Sequence, residues 1–119
     1  MPNQKAQLDR VLAQLDRVFQ ALADPTRRAV LERLGSGPAA VSELSQPFKM
    51  ALPSFSQHLA VLEECGLVRS RKAGRVRTYH LAPQRLAVAE HWLAAQRTKW
   101  ECRLDQLETF LADLKEKKR

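Results

Sequence analysis

Prolines inside the chain, at positions 25, 38, 47, 53 and 83, rule out any long unbroken helix between residues 25 and 83. A proline in a helix interior removes a hydrogen bond and clashes with the turn before it, whereas at the first helical position it costs nothing. The apolar residues between these breaks must therefore form several short elements. Leu8, Val11, Leu12, Leu15, Val18, Phe19 and Leu22 recur at the i, i+3, i+4, i+7 spacing of an amphipathic helix over residues 8–22. Asp24-Pro25 has the chemistry of a fresh start, a carboxylate to accept an orphan N–H followed by a residue that needs none, and predicts a second helix over Pro25–Leu34.

Gly35-Ser36-Gly37-Pro38 breaks the chain again, and a brief helix starting near Ser42, Glu43 and Leu44 cannot outlast Pro47 beyond about Phe48. After a tight connection, Lys49 to Leu52, Pro53 opens a helix over Pro53–Cys65. It buries Phe55, Leu59 and Leu62 and turns Ser54, Gln57, Val61 and Glu64 the other way. Gly66 suits the left-handed position that ends such a helix, and Leu67–Ala73 and Arg75–Leu81 read as two strands joined near Gly74. Beyond Pro83 a last helix over 84–115 repeats Leu93, Trp100, Leu107 and Leu114 every seventh residue, with Leu104 and Leu111 between them. Such a helix reaches about 45 Å at ~1.5 Å per residue, longer than a body of this size. Part of it is expected to pack on a second subunit.

The expected fold is mainly α with a two-stranded β wing: a winged helix-turn-helix whose N- and C-terminal helices form the dimer interface. With 119 residues and 45% hydrophobic content, one domain is affordable and two are not. Residues 1–119 are accordingly read as one unit, made of a dimerisation helix (8–22), a helix-turn-helix (41–65), a wing (67–81) and a second dimerisation helix (84–115). Interface candidates are Leu8, Leu12, Leu15, Trp92, Leu93, Trp100, Leu104, Leu107 and Leu111, the tryptophans acting as anchors rather than as a cofactor box.

Twenty lysines and arginines against 13 acids give a formal charge of +7, which favours a polyanionic partner, nucleic acid ahead of an anionic membrane surface. A short helix, a turn and a second helix with a polar face is a geometry that enters the major groove of double-stranded DNA. Here that face is Ser54, Ser56, Gln57 and His58; glutamine binds adenine in bidentate fashion, and serine donates and accepts at base edges. Arg69, Arg71, Lys72, Arg75, Arg77 and Arg85 follow with no acid between Glu64 and Glu90. Basic side chains on a hairpin beside a reading helix hold phosphates, so Arg71, Lys72, Arg75 and Arg77 join the candidate DNA contacts. The strand parity leaves open which arginine points inward, since Arg75, Arg77, Tyr79 and Leu81 share it.

Catalysis, metal and cofactors find little footing. Ser54 and His58 stand four apart but lack an orienting carboxylate or a G-x-S-x-G elbow. Cys65 and Cys102 lie 37 positions apart without a CxxC spacing, which argues against a disulfide scaffold or zinc ribbon and for a reducing cytosol. Each reads as a small core residue, with Arg103 beside Cys102 the only hint of redox chemistry. His80 and His91 read as packing or surface residues. The N-terminus lacks the apolar core of a signal peptide, and no stretch reaches the ~18 consecutive apolar residues of a membrane span. A cytoplasmic protein without membrane contact is expected.

Taken together, Leu22-Ala-Asp-Pro-Thr-Arg-Arg28, Ser56-Gln-His-Leu59 with Leu62, Gly66-Leu-Val68, and Gly74-Arg75 leading to Tyr79 resemble the ArsR family of bacterial winged-helix repressors over nearly the whole chain. The distal segment with Trp92, Trp100, Arg103-Leu-Asp105 and Leu107 is similar to a branch without metal motifs. The resemblance implies a homodimer built by the first and last helices, recognition through Pro53–Cys65, and repression by occupying promoter DNA. Metal-sensing members carry cysteines where this chain has Val41–Pro47, and they use acidic and histidine ligands on a last helix whose only histidine here is His91, with Ala89 at the spacing where an aspartate would help. One departure concerns the reading helix: Ala51 stands where the family commonly places serine or threonine, and a lost N-cap costs ~1 kcal/mol. The rival reading is a protein-interaction module that kept the fold and recruits a different partner through the heptad stripe; an enzyme ranks third. No residue pattern names an effector.

Overall fold

The computed structural model describes residues 4–117. Its elements run α1 (Gln4–Leu22), α2 (Pro25–Leu34), β1 (Ala39–Ala40), α3 (Val41–Ser45), α4 (Leu52–Glu64), β2 (Val68–Ala73), β3 (Val76–Leu81) and α5 (Gln84–Lys117). Packing divides the chain into two units, the first ending at Ala89 and the second starting at Glu90.

The first unit holds the core. Phe55, Leu59 and Leu62 from α4, Leu44 from α3, Val18 from α1, Val30 from α2 and Val68 from β2 are fully buried. Four helices and the sheet thus each lower one apolar edge into a shared interior. Ala89 on the first turns of α5 belongs to it too. From Glu90 onward α5 has no fully buried side chain among its described residues.

Local chemistry accounts for the boundaries. The Asp24 carboxylate accepts from the Arg27 backbone N–H at 3.0 Å and Pro25 occupies the first helical turn, so α2 starts where a cap and a proline coincide. α4 ends in a Schellman motif: the Leu67 N–H reaches the Leu62 carbonyl at 3.0 Å, and the Gly66 N–H reaches Glu63 at 3.1 Å. Gly66 has φ +80, and a Cβ there would stand 2.6 Å from Cγ of Arg85, so glycine is required twice over. Gly74 opens the two-residue β2–β3 turn at φ +64 while Arg75 stays at negative φ, the type II′ pattern that suits a right-twisted hairpin.

Three expectations change. The sheet has three strands in the order β1-β3-β2, not two, because Ala39 and Ala40 pair with Tyr79 and Thr78. A two-residue alanine strand has no alternation to betray it. α3 stops at Ser45, short of Phe48: Gln46 keeps helical angles, φ −51 and ψ −47, but Pro47 after it has no N–H with which to extend the ladder. α1 starts at Gln4 rather than at Leu8.

Ala51, the N-cap of α4, makes no side-chain capping bond. Ala51→Ser is therefore expected to stabilise the fold by ~1 kcal/mol, read as a raised midpoint in urea at unchanged slope; an unmoved midpoint would mean the orphan N–H groups are already satisfied.

Candidate nucleic-acid interface

α3, the 46–51 connection and α4 form the expected helix-turn-helix. Phe55 anchors it, its ring centroid 5.4 Å from that of Phe48 in the connection, and the inward turn of Phe55, Leu59 and Leu62 leaves Ser54, Ser56 and Gln57 exposed. His58 departs from the expected face. Its side chain is only 23% exposed, and its Nδ1 lies 3.1 Å from Nη1 of Arg27 on α2. The reason is helical spacing: His58 follows Phe55 by three and precedes Leu62 by four, which places it on the flank of the buried stripe.

Arg27 explains much of the Asp-Pro-Thr-Arg-Arg stretch. Its Nε and Nη2 donate to the carbonyls of Ala21 and Gln20, each at 2.9 Å, and Arg28 Nη1 donates to Leu22 at 2.7 Å. These are last-turn carbonyls of α1, beyond reach of the regular i+4 ladder, and only that of Gln20 also accepts from the Ala23 N–H, at 3.3 Å. Asp24, 3.7 Å from His58 Nδ1, completes the junction of α1, α2 and α4. Partial burial pushes its carboxyl up, but the Arg27 backbone N–H and the Arg27 guanidinium outweigh that and hold it below the ordinary carboxylate value. Nothing in the sequence spacing singles out Arg27; a basic residue three positions after a helix N-cap is unremarkable until the fold brings α1 and α4 to it.

The hairpin register decides the wing. Directly opposed residues share a face, so Val68, Ser70, Lys72, Arg77 and Tyr79 lie on one side, and Arg69, Arg71, Thr78 and His80 on the other. Val68 and Tyr79 are buried, which makes theirs the inward face. Arg77 is thus the inward-sided arginine, and it is engaged: its Nη1 donates to Ser70 Oγ at 2.8 Å, which donates to Glu63 on α4 at 2.7 Å. Burial, with Glu63 nearby, raises the Tyr79 hydroxyl pKa. Arg71, Lys72 and Arg75 are exposed at the hairpin tip.

Among the interface candidates, Leu8 and Leu12 on α1 and Trp92, Leu93, Trp100, Leu104, Leu107 and Leu111 on α5 are exposed. Leu15 is not. At 5% exposure it belongs to the core, because α1 enters the body of its own protomer from Leu15 onward, through Val18 and Ala21. The cysteines also part company. Cys65 is buried, which raises its thiol pKa, while Cys102 is exposed rather than a core residue. Among the described residues, no group of three or more His, Cys, Asp or Glu side chains gathers to hold a metal ion, and no helix is long and apolar enough to cross a membrane.

Known proteins match this arrangement. A helix-turn-helix domain family model (HTH_20) covers residues 22–71, from the end of α1 to the middle of β2. The HTH-type transcriptional regulator Rv2034 of Mycobacterium tuberculosis (strain ATCC 25618 / H37Rv) is 53% identical over 72 residues, 60% of this chain and 67% of that one. The crystal structure of the ArsR family transcriptional regulator RHA00566 superposes with a TM-score of 0.73 at 56% identity, covering 75% of this chain and 92% of its own. The chain belongs to the ArsR family of transcriptional regulators. It is a DNA-binding regulator with a winged helix-turn-helix, α4 being the second helix of the motif and β2–β3 the wing. Among solved ArsR-like structures, the homodimeric winged helix-turn-helix domain (fragment 1-100) Mb0332 from Mycobacterium bovis aligns at 32% identity with a TM-score of 0.60, covering 85% of this chain and 89% of its own.

Proposed function

We propose that this ArsR-family protein is a cytoplasmic homodimeric repressor that binds an imperfect palindrome in promoter DNA and, by occupying it, excludes polymerase. The observation that carries the reading is the pairing of an exposed Ser54, Ser56, Gln57 face on α4 with an exposed basic hairpin tip at Arg71, Lys72 and Arg75. Gln57 reads a base pair in each half-site and the serines assist it, while the tip residues bind phosphates. Leu8, Leu12, Trp92, Leu93, Trp100, Leu104, Leu107 and Leu111 pair two copies, as the exposed apolar stripe and the homodimeric M. bovis relative support. A two-fold dimer then sets the half-sites one helical turn, or a near multiple, apart. The reading assigns no residue a catalytic, metal or cofactor role, and no effector.

Selection from a randomised duplex library tests it, followed by titration of the selected and a scrambled duplex over a salt series. An inverted repeat is the expected product. Gln57→Ala should relax one position per half-site at a cost of ~1–3 kcal/mol, whereas Arg75→Ala should weaken both duplexes alike and lower the salt slope by about one. Enrichment without sequence preference, unaltered by Gln57→Ala, would leave an interaction module as the better reading.

A further inference from the structure

His58 sits beside Gln57 on the reading helix, yet its Nδ1 edge faces away from solvent and towards Arg27. A guanidinium only donates, so at 3.1 Å Nδ1 is the acceptor and the ring proton rests on Nε2. The guanidinium is planar and presents its donors in a fixed fork. With Nε and Nη2 already committed to Ala21 and Gln20 on α1, the direction in which Nη1 points is no longer free. His58 therefore meets a donor whose position α1 dictates. Through that one bond the rotation of α4 about its own axis is tied to the end of α1.

We infer that Arg27 and His58 are positioning residues for sequence discrimination: they hold α4 in the rotation at which Ser54, Ser56 and Gln57 meet base edges, and His58 itself reads no base. This rests on the reading of α4 as the groove-reading helix. Bidentate contacts from a glutamine tolerate little error in direction, while phosphate contacts from a basic wing tolerate a great deal. Loosening the bond should accordingly lower discrimination and spare sequence-blind affinity.

His58 variants carry the test, because Arg27 also caps α1 and its loss would disturb folding. Asparagine sets an acceptor about where Nδ1 stands; glutamine sets its amide about where Nε2 stands. The probes are the inverted repeat selected by the wild-type chain and a scrambled duplex of equal length and composition. His58→Ala should reduce the ratio of the two dissociation constants about tenfold, the worth of one charge-assisted hydrogen bond, with scrambled-duplex affinity unchanged. His58→Asn should recover most of the ratio and His58→Gln little. Independently of DNA, long-range proton–nitrogen spectra should find the His58 proton on Nε2. Rescue by Gln but not Asn would make His58 a direct base reader and overturn the inference, as would full discrimination by His58→Ala. Should His58→Ala fail to fold, the Asn and Gln variants decide alone. A wild-type chain that selects no sequence would instead remove the reading on which the inference rests, and the inference with it.

Discussion

Phe55→Ala is expected to cost ~3–5 kcal/mol, the range for removing a buried aromatic side chain. Phe55 is fully buried, packs against Phe48 and stands between the two serines of the reading face. Domains of this size have only ~5–15 kcal/mol to lose. At about 4 °C per kcal/mol the melting temperature should fall by at least 12 °C, and DNA binding should fail at temperatures where the wild-type chain is folded. Phe55→Leu, which retains most of the volume, should cost less than half as much. Phe48→Ala should fall between them, since Phe48 is only partly buried. Thermal melts of the three variants check this order. A Phe55→Ala protein melting within two or three degrees of wild type, roughly the scale of a surface change, would mean that α4 is not anchored through this ring.

The same residue shows why α4 is legible in the amino-acid sequence. Proline at its start, glycine at its end and Phe55, Leu59 and Leu62 at helical spacing agree with one another, and the observed helix, Leu52–Glu64, differs from the expected one by a single residue at each end. α2 matches to the residue for a similar reason: Asp24, Pro25 and Gly35 are each explicit stop or start chemistry. What spacing cannot supply is which element covers a given apolar side chain. In α1 the stripe from Leu8 to Leu22 is continuous in sequence, but the body of the protomer reaches only its second half, so Leu8 and Leu12 stay exposed and Leu15 does not. His58 misleads in the opposite direction. A histidine in a polar run looks like a contact residue, and only the approach of Arg27 from α2 reveals a partner.

Side-chain bonds joining separate elements are equally invisible to spacing. Ser70 and Arg77 look like a polar residue and a free cation on a hairpin, yet with Glu63 they tie the inward face of the wing to the last turn of α4. Besides its buried stripe, the helix thus has two side-chain ties, through His58 to Arg27 of α2 and through Glu63 to the sheet, and Ser54, Ser56 and Gln57 take part in neither. That separation leaves Ser54, Ser56 and Gln57 free to differ between relatives of one fold without unsettling the frame that presents them. Arg77 stays exposed and commits one of its donors to Ser70.

The distal half of α5 carries the other large expected effect. Leu107 is 52% exposed and Leu104 59% exposed, in a stripe that continues through Leu111 and Leu114. With Leu93, Trp100, Leu107 and Leu114 every seventh residue and Leu104 and Leu111 between them, the stripe has the repeat of a helix seam, and Cys102 and Thr109 fall on the outer side. Covering one such leucine contributes ~1.5–3 kcal/mol, and in a two-fold dimer every substitution counts twice. Leu107→Asp adds the cost of taking a carboxylate out of water. Its dimer should therefore be weakened by at least ~4 kcal/mol, a rise in dissociation constant of about a thousandfold, visible as a monomer in sedimentation equilibrium at micromolar concentration. Thr109→Asp introduces the same charge on the outer side and should leave the dimer intact. Since each half-site then binds alone, Leu107→Asp should also lose about a hundredfold in affinity for the full inverted repeat and far less for an isolated half-site. A Leu107→Asp protein that stays dimeric and binds the repeat like the wild type would show that the stripe serves another partner. Loss of full-site binding in a protein that remains dimeric would place the defect in the wing and the reading helix instead, so oligomeric state and binding have to be measured on the same preparation.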